Sequence, residues 1–378
     1  MTNQTTRVVN TFKYLCSVST LLLMAISSIS YSDLQISSNR PTSITESPRY
    51  SAKRMTLAGY SPEEMHLAGH TDIDISRAQK TIYLHIGYPK TGTSSLQYTM
   101  TDHAALIEET LGLKRLKTGS SDRYIDIENK THEPANYDLF IHFYTASILG
   151  QDSNKEDFQH IWDDLKAEID QSDRDRFFVS CELMSMQLEA KHIASIAKYL
   201  DDYQVKIILV TRDPLALFPS FYKTVLQVGH TNLTPSQFLK VIGDQLSYKT
   251  VSKRWARHFG DENMILIPYE NIKGPKIANH FLSAIGFENE LALPIPQQQK
   301  LPSLVLDQAS VDYALKLIRQ PVDRTSYTQL LRQISNFNIA NNITENFLSD
   351  DDLIQLERIK LADETADEQQ SKPWQYFF

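Results

Sequence analysis

The chain has 378 residues, 41% hydrophobic and 22% charged, a globular composition with ample core material for one large domain or two smaller ones. A net charge of −8 and a pI near 5.8 exclude a generally basic, nucleic-acid-binding surface, while leaving room for a local basic pocket. The two cysteines, Cys16 and Cys181, support no disulfide framework, and Cys181 reads as a small buried hydrophobe at a strand end.

At the N-terminus, Arg7 and Lys13 precede Tyr14–Tyr31, which contains the apolar run Leu21–Ile26. Residues 1–31 read as a signal-anchor, a cleaved signal peptide or a peripheral extension. The basic residues before the segment and Asp33 after it would put the N-terminus on the cytoplasmic side, so a membrane-associated, single-pass chain is expected. Residues 32–79 are rich in Ser, Thr, Pro and charge, with no sustained periodicity, and read as a poorly ordered stem or linker. The main domain is expected over 80–378, with a helical C-terminal part. Sequons at Asn129, Asn232 and Asn342 matter only in a secretory lumen.

The stretch Thr81–Gln97, T-I-Y-L-H-I-G-Y-P-K-T-G-T-S-S-L-Q, organises the domain. Ile82–Ile86 is a short β-branched and aromatic run stopped by Gly87, hence a buried strand. Gly87, Pro89 and Gly92 make a turn cluster, and Thr93, Ser94 and Ser95 suit a helix start. Leu96, Met100, Ala104, Ile107 and Leu111 then mark one face of an amphipathic helix. Strand, glycine loop and helix N-terminus together bind phosphate through free N–H groups and the helix dipole. Lys90 adds a full charge, and Thr91, Thr93, Ser94 and Ser95 add donors. The glycine spacing matches a Walker A loop, but Thr93 stands where that motif requires Lys.

Gly112–Tyr137, with Lys114, Arg115, Lys117 and Arg123, reads as a solvated connection or as a lip for an anionic or sugar-like acceptor. Within Asp138–Leu149, a largely apolar stretch, the lone His142 reads as a satisfied core residue. Asp157–Ile169 is an amphipathic helix, and Arg176–Glu182 a strand ending in an acid. A carboxylate at such a strand end lies where open α/β sheets bind ligands, so Glu182 is a base or a helix N-terminal acid. Val205–Val210 is the clearest buried strand, followed by Arg212, the N-cap Asp213 and Pro214. Ser220 lies eight residues after Arg212, and Pro219 is expected to kink the intervening helix. Thr234–Gln237 is a capping box opening a helix to about Leu246, and a helix carrying Trp255 ends near Gly260. Met264–Pro268 is a strand leading into Tyr269-Glu270-Asn271; helices are expected near Lys276–Ile285, Ser303–Ile318, 327–337 and 351–361.

The loop Y-P-K-T-G-T-S-S resembles the 5′-phosphosulfate loop of sulfotransferases, usual form Y-P-K-[ST]-G-[ST]-[ST]. The order of that loop, S-x-E at Ser180–Glu182, R-D-P…S at Arg212–Ser220 and W…Y-E-N extends the resemblance over about Lys80–Ser310, closest in form to carbohydrate-type or bacterial members. The resemblance implies a P-loop-like three-layer α/β/α sandwich with a central parallel sheet. It implies transfer of a sulfuryl group from 3′-phosphoadenosine-5′-phosphosulfate (PAPS) to an acceptor hydroxyl, with no metal expected. Pro89, Lys90, Thr91, Gly92, Thr93, Ser94 and Ser95 would hold the phosphosulfate; Arg212, Ser220 and Lys300 would hold the 3′-phosphate; Glu182 would be the base, with His142 the other candidate. The implied partner is a hydroxyl-bearing acceptor, a glycan or glycolipid. The compartment would be a Golgi-type lumen for a eukaryotic chain and the cytoplasm for a bacterial one. Two alternatives are a kinase-like P-loop enzyme and an inactive protein that binds adenosine 3′,5′-bisphosphate (PAP) or sulfated glycans.

Overall fold

The computed structural model describes residues 50–120, 125–126, 131–132, 135–143, 160–287, 291, 293, 303–320 and 322–365. The apolar segment 1–31, the linker to residue 49, Arg123, Asn129, Lys300 and the C-terminal tail lie outside them. Among the described residues no helix is long and apolar enough to cross a membrane.

Helices α1 (Ala52–Leu57), α2 (Pro62–Leu67) and α3 (Asp72–Gln79) open the described chain. Strand β1 (Thr81–His85) leads to α4 (Thr93–Asp102), α5 (Ala104–Leu111) and β2 (Leu113–Arg115). The short strands β3 (Ile125–Asp126) and β4 (Thr131–His132) pair with each other, and α6 (Tyr137–Ile141) follows. Then come α7 (Ile161–Asp170), β5 (Arg176–Ser180), α8 (Leu183–Gln187), α9 (Ala190–Tyr199) and β6 (Gln204–Thr211). The remainder comprises α10 (Pro214–Gln227), α11 (Pro235–Leu246), α12 (Tyr248–Phe259), β7 (Met264–Pro268) and α13 (Tyr269–Ile272). Helices α14 (Ile277–Ala284), α15 (Gln308–Ile318), α16 (Arg324–Ala340) and α17 (Asp350–Thr365) complete it.

Side-chain alternation explains the layers. On β6, Val205, Ile207 and Leu209 join a core with Ile82, Leu84, Phe177, Val179, Phe218 of α10 and Trp255 of α12. Ile208 and Val210 point the other way, into a second core with Phe178, Leu96 and Met100 of α4, and Ile277 and Phe281 of α14. Both faces are covered, so the strand reads as a near-continuous apolar run. The five main strands lie in the order β2-β5-β1-β6-β7, all parallel. The fold is an α/β/α sandwich about a central parallel sheet.

Several local expectations hold. Asp213 caps α10 by accepting from Leu215 N at 2.8 Å, with Pro214 in the first turn, and the Thr234–Gln237 capping box opens α11. Others need correction. The single amphipathic helix expected after the loop is two helices, because the backbone leaves helical geometry at His103 (φ −113°, ψ 21°). The Gly112–Tyr137 stretch hides β2, whose Leu-Lys-Arg sequence lacks strand periodicity and which pairs through only three residues at the sheet edge. Helix α15 starts at Gln308 rather than near Ser303, where Asp307 accepts from Ser310 N at 2.9 Å.

The latter part of the expected linker is also corrected: it is an ordered ten-residue repeat. Ser51–Tyr60 (S-A-K-R-M-T-L-A-G-Y), Ser61–His70 (S-P-E-E-M-H-L-A-G-H) and Thr71–Lys80 (T-D-I-D-I-S-R-A-Q-K) each begin with a hydroxyl N-cap accepting from the amide three residues on. The equivalent residues Met55, Met65 and Ile75 meet in a small core with Ala52 and Ala78. The repeat fastens to the sandwich through charge. Arg77 donates to Asp170 (2.6 Å at its shortest) and to Asp202 (3.1 Å), and the buried Lys80 Nζ donates to the carbonyls of Ile169 and Ser172. Arg77→Ala should lower unfolding stability by about 1–2 kcal/mol, the usual scale for a partly buried charge-assisted pair. It should also speed proteolysis within residues 50–79; denaturant midpoints and limited trypsin digestion check both.

Candidate functional site

Strands β1 and β6 are neighbours whose connections leave in opposite directions, towards β2 on one side and β7 on the other. The crevice beyond their carboxyl ends is the switch point at which open parallel sheets bind ligands. The loop after β1 fills it. Ile86 N donates to Ile208 O (2.9 Å) and Tyr88 N to Val210 O (3.3 Å), so the entry to the loop stays paired with β6. The buried Thr91 Oγ1 closes the turn by donating to Tyr88 O at 2.6 Å. Lys90 (φ 67°) and Gly92 (φ 77°) both take the left-handed backbone. A Cβ at Gly92 would stand 2.4 Å from Ile277 Cδ1, the movable end of a side chain, so it is the left-handed backbone that favours glycine there. Gly92 is the N-cap of α4 and offers no side chain, and the first-turn N–H groups of Thr93, Ser94 and Ser95 have no carbonyl within the helix to reach. The arrangement forms a cradle that can accept an anion.

Arg212, just beyond β6, props this cradle. Its Nη1 donates to Lys90 O at 2.6 Å, its guanidinium carbon lies 5.2 Å from the ring centre of Tyr269 beyond β7, and its Nε is buried with no partner among the described residues. Burial holds the Lys90 ammonium below its ordinary range, and the neighbouring charges of Arg212 and Lys223 push in the same direction. Lys223, not singled out by its sequence context, is buried and donates to Leu304 O (2.9 Å) and Glu345 Oε2 (2.5 Å). Ser220 is half-buried on α10, which continues through Pro219, and its carbonyl accepts from Thr224 Oγ1.

Glu182 lies on the other flank of the loop, beyond β5 and buried. It occupies the N-cap position of α8, yet its side chain makes no capping bond there. Instead Oε1 accepts from the Tyr137 hydroxyl at 2.6 Å, and Oε2 accepts from Gln97 Nε2 at 2.9 Å. Gln97 Nε2 also donates to Ser180 Oγ (2.9 Å), which is 2.8 Å from His85 Nδ1. Asn136 locks the neighbouring segment onto β5: its Oδ1 accepts from Ser180 N and its Nδ2 donates to the carbonyls of Leu116 and Thr118. Gln97, Tyr137, Asn136 and His85 were not picked out from sequence. Gln97 had a signal, one helical turn after the hydroxyl cluster; Tyr137 and Asn136 sit in a stretch without periodicity. His142 ends α6, its ring edge-on to Phe143 and Tyr199. Among the described residues, no group of three or more His, Cys, Asp or Glu side chains is arranged to hold a metal ion.

No protein-family model matches the chain, and no curated protein does. Among solved structures, a sulfotransferase from Alicyclobacillus acidocaldarius aligns at 14% identity and TM-score 0.33, over 66% of this chain and 95% of that one. The sulfotransferase domain of the curacin biosynthetic pathway aligns at 17% identity and TM-score 0.33, over 68% and 97%. That of a Synechococcus olefin synthase aligns at 15% and 0.32, over 68% and 94%.

His85 makes the site sensitive to acid. It is fully buried, and burial lowers its pKa to about 3. The unfolded chain therefore binds a proton below about pH 6.5 that the folded chain refuses. Stability from this group is complete above that pH and is lost as pH falls towards 3, by up to about 1.4 kcal/mol per unit. His230, lowered to about 4 by burial and then by Arg324, acts in the same direction. Urea unfolding between about pH 6.5 and 5 should show a clear slope for the native chain and a shallower one for His85→Gln. Equal slopes would contradict this origin.

Proposed function

We propose that the chain is a sulfotransferase moving a sulfuryl group from PAPS to an acceptor hydroxyl, on a carbohydrate. One observation carries the reading: Lys90 and Arg212 converge at the uncapped N-terminus of α4, with the buried carboxylate of Glu182 on the loop's opposite flank. Like charges gathered this closely repel, and a bound polyanion relieves them. The residues fit PAPS. Lys90 and the first-turn amides of α4 would hold the phosphosulfate, with Thr91 closing the turn beneath it, while Arg212, whose Nε has no partner among the described residues, and Ser220 would hold the 3′-phosphate. The donor supplies an activated sulfur–oxygen bond, which breaks with its electron pair left on the phosphate. Lys90 and the loop amides would stabilise the charge developing there, and Glu182 would take the proton of the attacking hydroxyl.

The test is calorimetric binding of PAP without metal. The native chain should bind it, and Lys90→Ala and Arg212→Ala should each weaken binding clearly. In turnover, Lys90→Ala should cost roughly 3–4 kcal/mol at the barrier, as losing one oxyanion donor does. A folded native chain that ignores PAP would overturn the reading.

A further inference from the structure

We infer that Gln97 is a positioning residue for the base, holding the Glu182 carboxylate from a buried polar relay that runs under the anion loop. The inference rests on the reading of Glu182 as proton acceptor. The relay is continuous: His85 Nδ1 meets Ser180 Oγ at 2.8 Å, Ser180 Oγ accepts from Gln97 Nε2 at 2.9 Å, and the same Nε2 reaches Glu182 Oε2 at 2.9 Å. His85, Ser180, Gln97 and Glu182 are all buried, so each bond acts in a medium that screens it little. At its far end the relay touches the loop, since a Cβ on Gly87 would stand 2.7 Å from His85 Nε2 and 3.2 Å from Thr93 Cγ2. The element that begins with the anion-binding amides, α4, thus also carries the side chain that aims the base.

The chemistry suits an amide. An ionised carboxylate needs donors, and Gln97 Nε2 and the Tyr137 hydroxyl supply them. A carboxyl that has taken a proton becomes a donor itself and needs an acceptor. The hydroxyl of Tyr137 can rotate to accept. Gln97 holds the other answer: its Oε1 is buried with no partner among the described residues, and half a turn about the last side-chain bond exchanges it for Nε2. A lysine or arginine there would serve only the ionised state.

The test uses the full chain with PAPS as donor and water as acceptor, which yields PAP, sulfate and two protons. PAP binding and PAP release are measured for the native chain, Gln97→Met, Glu182→Gln and the double variant. Gln97→Met should bind PAP like the native chain and release it about 10–100-fold more slowly, a general-base-scale loss. The double variant should be no slower than Glu182→Gln alone, because a residue acting only through its partner adds nothing once the partner is gone. Ser180→Ala, which cuts the relay one link back, should show a smaller loss and serves if Gln97→Met folds poorly. Normal release by Gln97→Met, or losses that add in the double variant, would overturn the inference while leaving the sulfuryl-transfer reading standing. Absence of PAP binding by the native chain would sink that reading instead. Release no faster in the native chain than in Glu182→Gln would remove the base and the inference with it.

Discussion

A guanidinium held against a lysine's own carbonyl is the bond on which this architecture turns. Arg212 reaches across the crevice to Lys90 O at 2.6 Å, and in doing so it fixes a loop whose lysine sits in left-handed backbone. Such a conformation is unfavourable for a residue with a side chain and persists where surrounding contacts over-determine it. Here the contacts come from three sides: β6 through Ile208 and Val210, the Thr91 hydroxyl from within, and Ile277 crowding Gly92 from α14. The parallel sheet supplies the geometry, since β1, β5, β6 and β7 all end at this edge and each hands over one part.

Two flanks of unlike character result. Towards β6 the crevice is cationic: burial first, then the charges of Arg212 and Lys223, hold the Lys90 ammonium below its ordinary range. Towards β5 it is a buried hydrogen-bonded network around one carboxylate. In the proposed reading the donor anion lies on the loop and the acceptor hydroxyl would meet it from the Glu182 side. That division of labour matches in-line group transfer, where charge moves towards the leaving side as the proton departs from the attacking side.

Much of this was legible in the residues, and the reasons are local. The Val205–Val210 run, the Asp213 cap, the Thr234 capping box and the loop each announce themselves within a few positions. What escaped depends on distant partners. β2 is a strand because β5 is beside it, not because Leu-Lys-Arg prefers extension. Gln97 and Tyr137 matter only through a carboxylate 85 and 45 positions away. The repeat over 51–80 was hidden differently: its register lies in caps and in two or three buried residues per ten, too sparse for a helical or strand period to reveal.

That repeat also sets the polarity of the molecule. It joins the sandwich where the strands begin: α3 runs straight into β1, Arg77 grips Asp202 just ahead of β6, and Lys53 of α1 lines a cleft with Val205 and Asn263, at the starts of β6 and β7. The crevice opens at the opposite edge, where those strands finish. Helix α1, near the start of the described residues, therefore lies at the sheet's back edge, opposite the crevice that gathers Lys90, Arg212 and Glu182.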